Sequence, residues 1–369
     1  MTACSGASTS NSSGNDTNGG NGTPPPNAEG TIVLPNGSSG VAVVHIEDAS
    51  GNLMSTPTSA NIAAAGPVTV LSEPPDFSQG IVAGGQTLQT LNTATTAPQI
   101  TDNVQLPSDG TPISAAVIAD TTFSVVQMSQ LTSFATTCFT GGLHLATNQS
   151  LAAGQPEDLA FLVSPDGTGM VASGAAGTFD IYALSPVTGA HGENIDWSFS
   201  LPGPVPTITG RGAMAWNRAS DTVLGGGQDG SLNAISGLKS TPAFNAIDLP
   251  GNPAVASITF APSGEYAIVA TASGLFTVSV NSSGIPAVVA GPVDLSYPGS
   301  DGQTYQLDQA QSVAITADGN FLVALTDQPS ATNGTLVAMP IDASGTVGSV
   351  GMTEGGFLAM QGADVLFAH

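Results

Sequence analysis

The side chains able to do ionic chemistry here are few and one-sided: 27 Asp and Glu stand against three cations, Arg211, Arg218 and Lys239, giving a formal net charge of −24 over 369 residues. Arg211 and Arg218 flank one short apolar run, Ala213-Met214-Ala215-Trp216. A lone guanidinium among carboxylates makes charge-assisted, often bidentate hydrogen bonds, so Arg211 either neutralises a crowded acidic ring or anchors a ligand. Carboxylates and amides precede comparable runs, with Glu157 and Asp158 ahead of Ala160-Phe161, and Asp308, Gln309 and Gln311 ahead of Val313. The long connection from Asp294 to Asp308 adds Tyr297 and Tyr305, two of the four tyrosines. Aromatic residues in a long loop on a rigid scaffold suit binding; an ordinary solvated insertion is the other reading.

The familiar catalytic spacings are missing. Gly225-Gly-Gly-Gln-Asp-Gly230 fits G-x-G-x-x-G but lies between two strand patterns, so no helix N-terminus follows to face a pyrophosphate. There is no G-x-S-x-G, no H-E-x-x-H, no C-x-x-C and no Asp-x-Asp-x-Asp-Gly loop. His45, His144, His191 and His369 are scattered, the first two on outer strands and His191 in a connection on the face opposite the usual ligand entrance. Structural histidines are therefore expected, with neither a metal nor a cofactor.

The elements that must position these groups repeat along the chain. Phe161–Ala172, Ile258–Val269 and Val313–Ala324 each spell strand, Asp-Gly or Ser-Gly turn, strand. With weaker copies, turn markers fall at positions 76, 120, 166, 220, 263, 318 and 362. Units of about 40–55 residues at this spacing suit the blades of a propeller. A second pattern, Gly opening a strand that ends in a Ser/Thr-Gly turn, occurs at 177–189, 274–284 and 334–345, and alone at 40–51. Residues 356–368 look like a first hairpin without a third strand. The C-terminus is thus expected to supply the inner strands of one blade and the N-terminus the outer ones, which would remove free sheet edges. No stretch shows capped helical periodicity, so the fold class is all-β: a seven-bladed β-propeller of four-stranded antiparallel blades, spanning residues 31–369, closed by N- and C-terminal strands sharing one blade.

This hairpin pattern resembles the seven-bladed propellers of the lactonase-like and YVTN-repeat group. The resemblance implies a central funnel whose mouth is ringed by the residues just before each inner strand, and it implies a sugar-lactone hydrolase in which Arg211 would polarise a carbonyl and Glu157 activate water. No histidine of this chain reaches that mouth, which departs from the group's pattern.

The chain's beginning, Met1-Thr2-Ala3-Cys4, resembles the end of a bacterial lipoprotein signal, which makes Cys4 the lipidated residue of an extracytoplasmic, membrane-anchored protein in the periplasm or at the cell surface. Residues 1–30 are Ser, Asn, Gly and Pro rich and are expected to be a disordered tether, with a root-mean-square span of about 28 Å. Cys138 is expected to be a buried free thiol. Three cations cannot neutralise a run of phosphates, so nucleic acid is excluded as a partner and a membrane is reached only through the lipid anchor. These features favour a monomeric, non-enzymatic scaffold presenting its loop-rich face to a protein or saccharide, with Asp158, Tyr297, Tyr305, Asp308, Gln309 and Gln311 as ligand-binding candidates. The alternative is the lactone hydrolase centred on Arg211 and Glu157.

Overall fold

The computed structural model describes residues 30–35, 40–53, 60–62, 70–72, 79–84, 86–92, 99–106, 112–117, 123–128, 133–138, 144–150, 160–163, 169–173, 178–185, 190–200, 213–217, 219–238, 242–293, 296–298, 303–306, 310–326, 334–351, 354–357 and 366–367. Strands β1 (Gly30–Pro35), β2 (Val41–Ile46) and β3 (Ala60–Ile62) lead into β4 (Val70–Ser72), β5 (Gln79–Gly84), β6 (Thr87–Asn92) and β7 (Gln99–Gln105). Then come β8 (Pro112–Val117), β9 (Phe123–Met128), β10 (Ser133–Cys138), β11 (His144–Ser150), β12 (Ala160–Val163), β13 (Gly169–Ser173), β14 (Thr178–Ser185) and β15 (Ala190–Ser200). The second half continues with β16 (Met214–Trp216), β17 (Thr222–Gly226), β18 (Ser231–Ser236), β19 (Ala243–Asp248), β20 (Val255–Phe260), β21 (Tyr266–Thr271), β22 (Gly274–Val280) and β23 (Pro286–Val293). It ends with β24 (Ser296–Pro298), β25 (Thr304–Gln306), β26 (Ala310–Ile315), β27 (Phe321–Thr326), β28 (Gly334–Pro340), β29 (Glu354–Phe357) and β30 (Leu366–Phe367).

These strands make seven four-stranded antiparallel sheets, in the orders β30-β1-β2-β3, β4 to β7, β8 to β11, β12 to β15, β16 to β19, β20 to β23 and β26 to β29, with β24-β25 a separate hairpin. The first strands of successive sheets touch, β4 on β8, β8 on β12, β12 on β16, β16 on β20 and β20 on β26, and β1 packs on β4. The last gap is filled where Ile32, Leu34 and Val44 bury against Phe321, Val323 and Leu336. Seven blades therefore close a ring. Sheets sandwiched between neighbours bury both faces, which is why β2, β21 and β27 are buried at every position and are apolar but for His45, Thr271 and Thr326. The outermost β7 instead alternates between exposed and half-buried.

Six of the seven turn markers, from 76 to 318, fall between the first and second strands of a blade. The seventh does not, and the closure differs from the sequence expectation. Glu354–Phe357 is no inner strand: it pairs with β28 as the outer strand of the preceding blade. The C-terminus gives the closing blade a single innermost strand, Leu366–Phe367, paired Ile32 to Phe367 and Val33 to Leu366, and the N-terminus gives the other three. The Gly40 pattern thus sits, like its relatives, on a third strand. A two-residue strand has too little sequence to show a period.

Antiparallel order sends the turns between first and second strands, and between third and fourth, to one rim of the ring. At that rim Asp48-Ala-Ser-Gly51, Asn281-Ser-Ser-Gly284 and Asp342-Ala-Ser-Gly345 make the same turn. Asp48, Asn281 and Asp342 each accept, through Oδ1, the N–H two residues on, at 2.8, 2.9 and 2.8 Å. The closing glycines have φ of 78°, 73° and 82°, where a side chain would be strained. Each turn docks on the preceding blade: Gly284 O accepts from Asn245 Nδ2 at 3.1 Å, Gly345 O from Thr277 Oγ1 at 2.9 Å, and Gly51 lies against the Ala338 backbone.

Candidate functional site

The opposite rim, where every inner strand begins, is the mouth at which the sequence places the candidate groups. Arg211, Glu157, Asp158, Asp308 and Gln309 lie outside the described residues, as does Cys4 with the segment 1–29. The described strands still fix where their connections enter the ring. Glu157 and Asp158 occur between β11 and β12, Arg211 three residues before β16, and Asp308 and Gln309 just before β26. Tyr297 and Tyr305 are described, and the structure brings them together: they are directly paired in the β24-β25 hairpin, which rises from the connection between two blades and exposes Ser296, Thr304 and Gln306.

Gln311 sits at an irregularity. In β26 the pairing steps from Ala310–Thr326 to Ser312–Leu325, leaving Gln311 as the extra residue of a bulge. The same step occurs at the same place in β20, around Ala256, and in β8, around Ile113. Bulges at the ends of strands re-aim the chain and concentrate at barrel rims and active sites. A serine follows each one: Ser114, Ser257 and Ser312. Ser257 and Ser312 are both 2% exposed, and Ser257 Oγ accepts the Val313 N–H of the next inner strand at 3.2 Å. Sequence reasoning missed these serines. The signal was present, since Ser257 and Ser312 each precede a hairpin glycine, Gly264 and Gly319, by seven positions.

The glycine-rich segment 225–230 has a structural task at this rim. Gly226 ends β17 against Val255, leaving no room for a side chain, and Gly230 (φ 78°) lies under Asn252 and Pro253. Its turn is closed by Gly227 N–H to Ser231 O (2.9 Å), Gly230 N–H to Gly227 O (3.3 Å) and Ser231 N–H to Asp229 Oδ1 (3.0 Å). It also holds the next blade, through Val255 N–H to Gly227 O (3.0 Å), and the end of its own blade's outer strand, through Leu249 N–H to Gly230 O (2.9 Å).

Among the described residues, the titratable groups with displaced pKa values lie away from this rim. His45 is on the third strand of the closing blade, 5% exposed, with Nδ1 3.0 Å from Thr31 Oγ1, and burial pushes its pKa below the usual value. His144 begins an outer strand as expected, whereas His191 lies within outer strand β15 and not in a connection. Asp48 and Asp342 are held below the ordinary carboxylate range chiefly by side-chain hydrogen bonds, from Asn52 and Ser344 respectively. Burial, then Asp342, raises Tyr266, whose O–H donates to Asp342 O at 3.2 Å. All four belong to the turn rim or to the closing blade's interior. Among the described residues no cluster of His, Cys, Asp or Glu could hold a metal ion, and no helix is long and apolar enough to cross a membrane.

Neither a family model nor a curated protein matches the sequence. Solved structures do. A candidate 6-phosphogluconolactonase of Bacteroides fragilis superposes with a TM-score of 0.68 at 12% identity, covering 94% of this chain and 100% of its own. The periplasmic gluconolactonase of Pseudomonas aeruginosa gives 0.66 at 15% identity, over 92% and 99%. A second candidate 6-phosphogluconolactonase, from Bacteroides uniformis, gives 0.67 at 14%, over 92% and 99%. The chain has the lactonase-like propeller fold. At these identities the likeness speaks for architecture alone.

Proposed function

We propose that this propeller is a lactone hydrolase working at the mouth of its ring, the alternative that the sequence ranked second to a binding scaffold. One observation moves the preference: the fold matches a candidate 6-phosphogluconolactonase over 94% of this chain and 100% of its own, and a periplasmic gluconolactonase is among the similar structures. Hydrolysis asks little of the protein. Water adds to the lactone carbonyl carbon, its proton passes to a base, and the ring C–O bond breaks as the alkoxide takes a proton, leaving a hydroxy acid. In this reading the Arg211 guanidinium binds the developing oxyanion and Glu157 accepts the proton of water. Asp158, Tyr297, Tyr305, Asp308, Gln309 and Gln311 are proposed to bind the hydroxyls of the substrate. The periplasmic neighbour supports an extracytoplasmic address, which a lipid on Cys4 and the segment 1–30 as tether would serve.

The test is continuous titration of the acid released from simple sugar lactones. Catalysed hydrolysis is expected, with kcat/KM falling about 10²–10³-fold in Arg211→Ala, the usual loss for one oxyanion donor. No rate above background with the folded protein would return the chain to the scaffold reading, a monomer binding a protein or saccharide.

A further inference from the structure

On the outside of the ring, between its two rims, one wall carries no charge. Among the described residues two large aliphatic side chains are exposed, Ile285 at 46% and Val289 at 57%. Val289 belongs to the outermost strand β23, and Ile285 to the turn that opens it. Ala287, Ala290, Gly291 and Pro292 are exposed beside them. The outer strand of the preceding blade, β19, touches β23 and adds the exposed Ala243 and Ala246, and Asn245 Nδ2 ties the two through Gly284 O. From Tyr266 to Val293 no residue is charged. The outermost β7 shows the ordinary arrangement, with Gln99, Thr101, Asn103 and Gln105 exposed and Ile100 and Val104 half-buried. A bulge works the other way in β23: the pairing steps from Val278–Val288 to Thr277–Ala290, and the extra residue is Val289 itself.

Strand β23 ends its sheet and is paired on one side only, with β22. An edge strand offers alternate main-chain N–H and C=O groups to a further strand. Pro286 and Pro292 have no N–H, which confines that offer to residues 287–291.

We infer that this wall is where two copies of the chain meet, edge to edge through β23, in a weak dimer in place of the monomer that the acidity suggests. Charge selects both the place and the occupant. Two molecules of formal charge −24 repel wherever their carboxylates face each other, so contact between copies is least opposed at an uncharged wall. The same wall offers no counter-charge to a cationic or an anionic partner. A closed pair uses one patch twice. A two-fold axis near Val289 sets the two β23 strands antiparallel, and the prolines keep the pairing from spreading. Both mouths then stay open, on opposite sides of the pair. The wall from Ile285 to Val293 is about 30 Å long at about 3.3 Å per residue, and about 10 Å wide, the spacing of packed sheets. Roughly 300 Å² on each copy is well under the roughly 800 Å² of a standard interface, so the pair is reversible.

The test is sedimentation equilibrium of the full-length protein from about 5 to about 500 μM, the affinity range of a small interface. The weight-average mass is expected to climb from one chain toward two. Association should be severalfold tighter at about 300 mM than at about 10 mM salt, as the Debye length shrinks from about 30 Å to under 8 Å. Val289→Asp and Ile285→Asp should each weaken it about tenfold or more and leave the urea midpoint in place, because both side chains already meet solvent. Thr101→Asp, which puts the same charge on exposed β7, should leave association nearly unchanged. A chain that stays monomeric throughout leaves the wall to a partner of another kind and overturns the inference. So does a dimer that the two wall variants fail to weaken, or one that Thr101→Asp weakens equally.

Discussion

At Gly345 one hydrogen atom in place of a side chain joins two blades. A Cβ there would lie 2.7 Å from Thr277 Cγ2 and 2.8 Å from Tyr266 Cδ2, at a φ of 82°. Gly251 has the same φ of 82° with nothing within 4 Å, so the pair separates backbone strain from blockage. Gly251→Ala is expected to cost about 1 kcal/mol, for the left-handed backbone alone. Gly345→Ala should cost about 1–3 kcal/mol more, for the overlap with the neighbouring blade. Urea unfolding checks both, and equal losses would mean that the turn does not bear on Tyr266 and Thr277. The Ser-Gly ending of this turn was legible in the sequence, because a positive-φ residue closing a strand leaves a local signature. Its docking partner was not, since Thr277 lies 68 positions away and only ring closure brings the two together.

At the scale of elements, the hairpins announced themselves through Asp-Gly and Ser-Gly steps between apolar runs, whereas the bulges at their entrances did not. A bulge shifts pairing by one residue and leaves composition untouched, so Gln311 was noticed for its place before Val313 and not as the extra residue of β26. The serine after it is the more informative position. Ser257→Ala removes the acceptor of the Val313 N–H, buried between two inner strands, and should cost about 1–3 kcal/mol for a donor left unsatisfied. Ser282→Ala, on an exposed turn, should stay within about 0.5 kcal/mol of the parent. The same measurement in both variants decides whether the bulge serines tie one blade to the next; a Ser257→Ala loss no larger than that of Ser282→Ala would dismiss them. The closing strands were misassigned for a related reason: Glu354–Phe357 begins with Glu-Gly-Gly and Leu366–Phe367 has two residues, so neither carries a period, and which blade each joins is decided by pairing alone.

For the whole molecule, ring closure is what turns seven sequence-distant connections into one mouth. It leaves apolar packing between blades, as in the Ile32, Leu34 and Phe321 cluster, to hold a chain with 27 acidic residues and three cations. Blade number and the all-β class were visible in turn spacing and the lack of helical periodicity. The chemistry of the mouth was less so, because its residues lie in connections whose composition is unconstrained by a strand pattern. Every assignment at the mouth depends on the two chain ends meeting in one sheet. Antiparallel partners have Cα atoms about 4.5–5.5 Å apart, within the span of a disulfide. With Cys4 and Cys138 replaced by Ser, the pairs Ile32→Cys/Phe367→Cys and Val33→Cys/Leu366→Cys place one such link at each of the two neighbouring registers of β1 and β30. Mild oxidation of the folded protein should close an intramolecular disulfide in at least one pair and raise its urea midpoint, whereas thiols that stay free and reactive in both, or that link only between molecules, would show that the ring is not joined there.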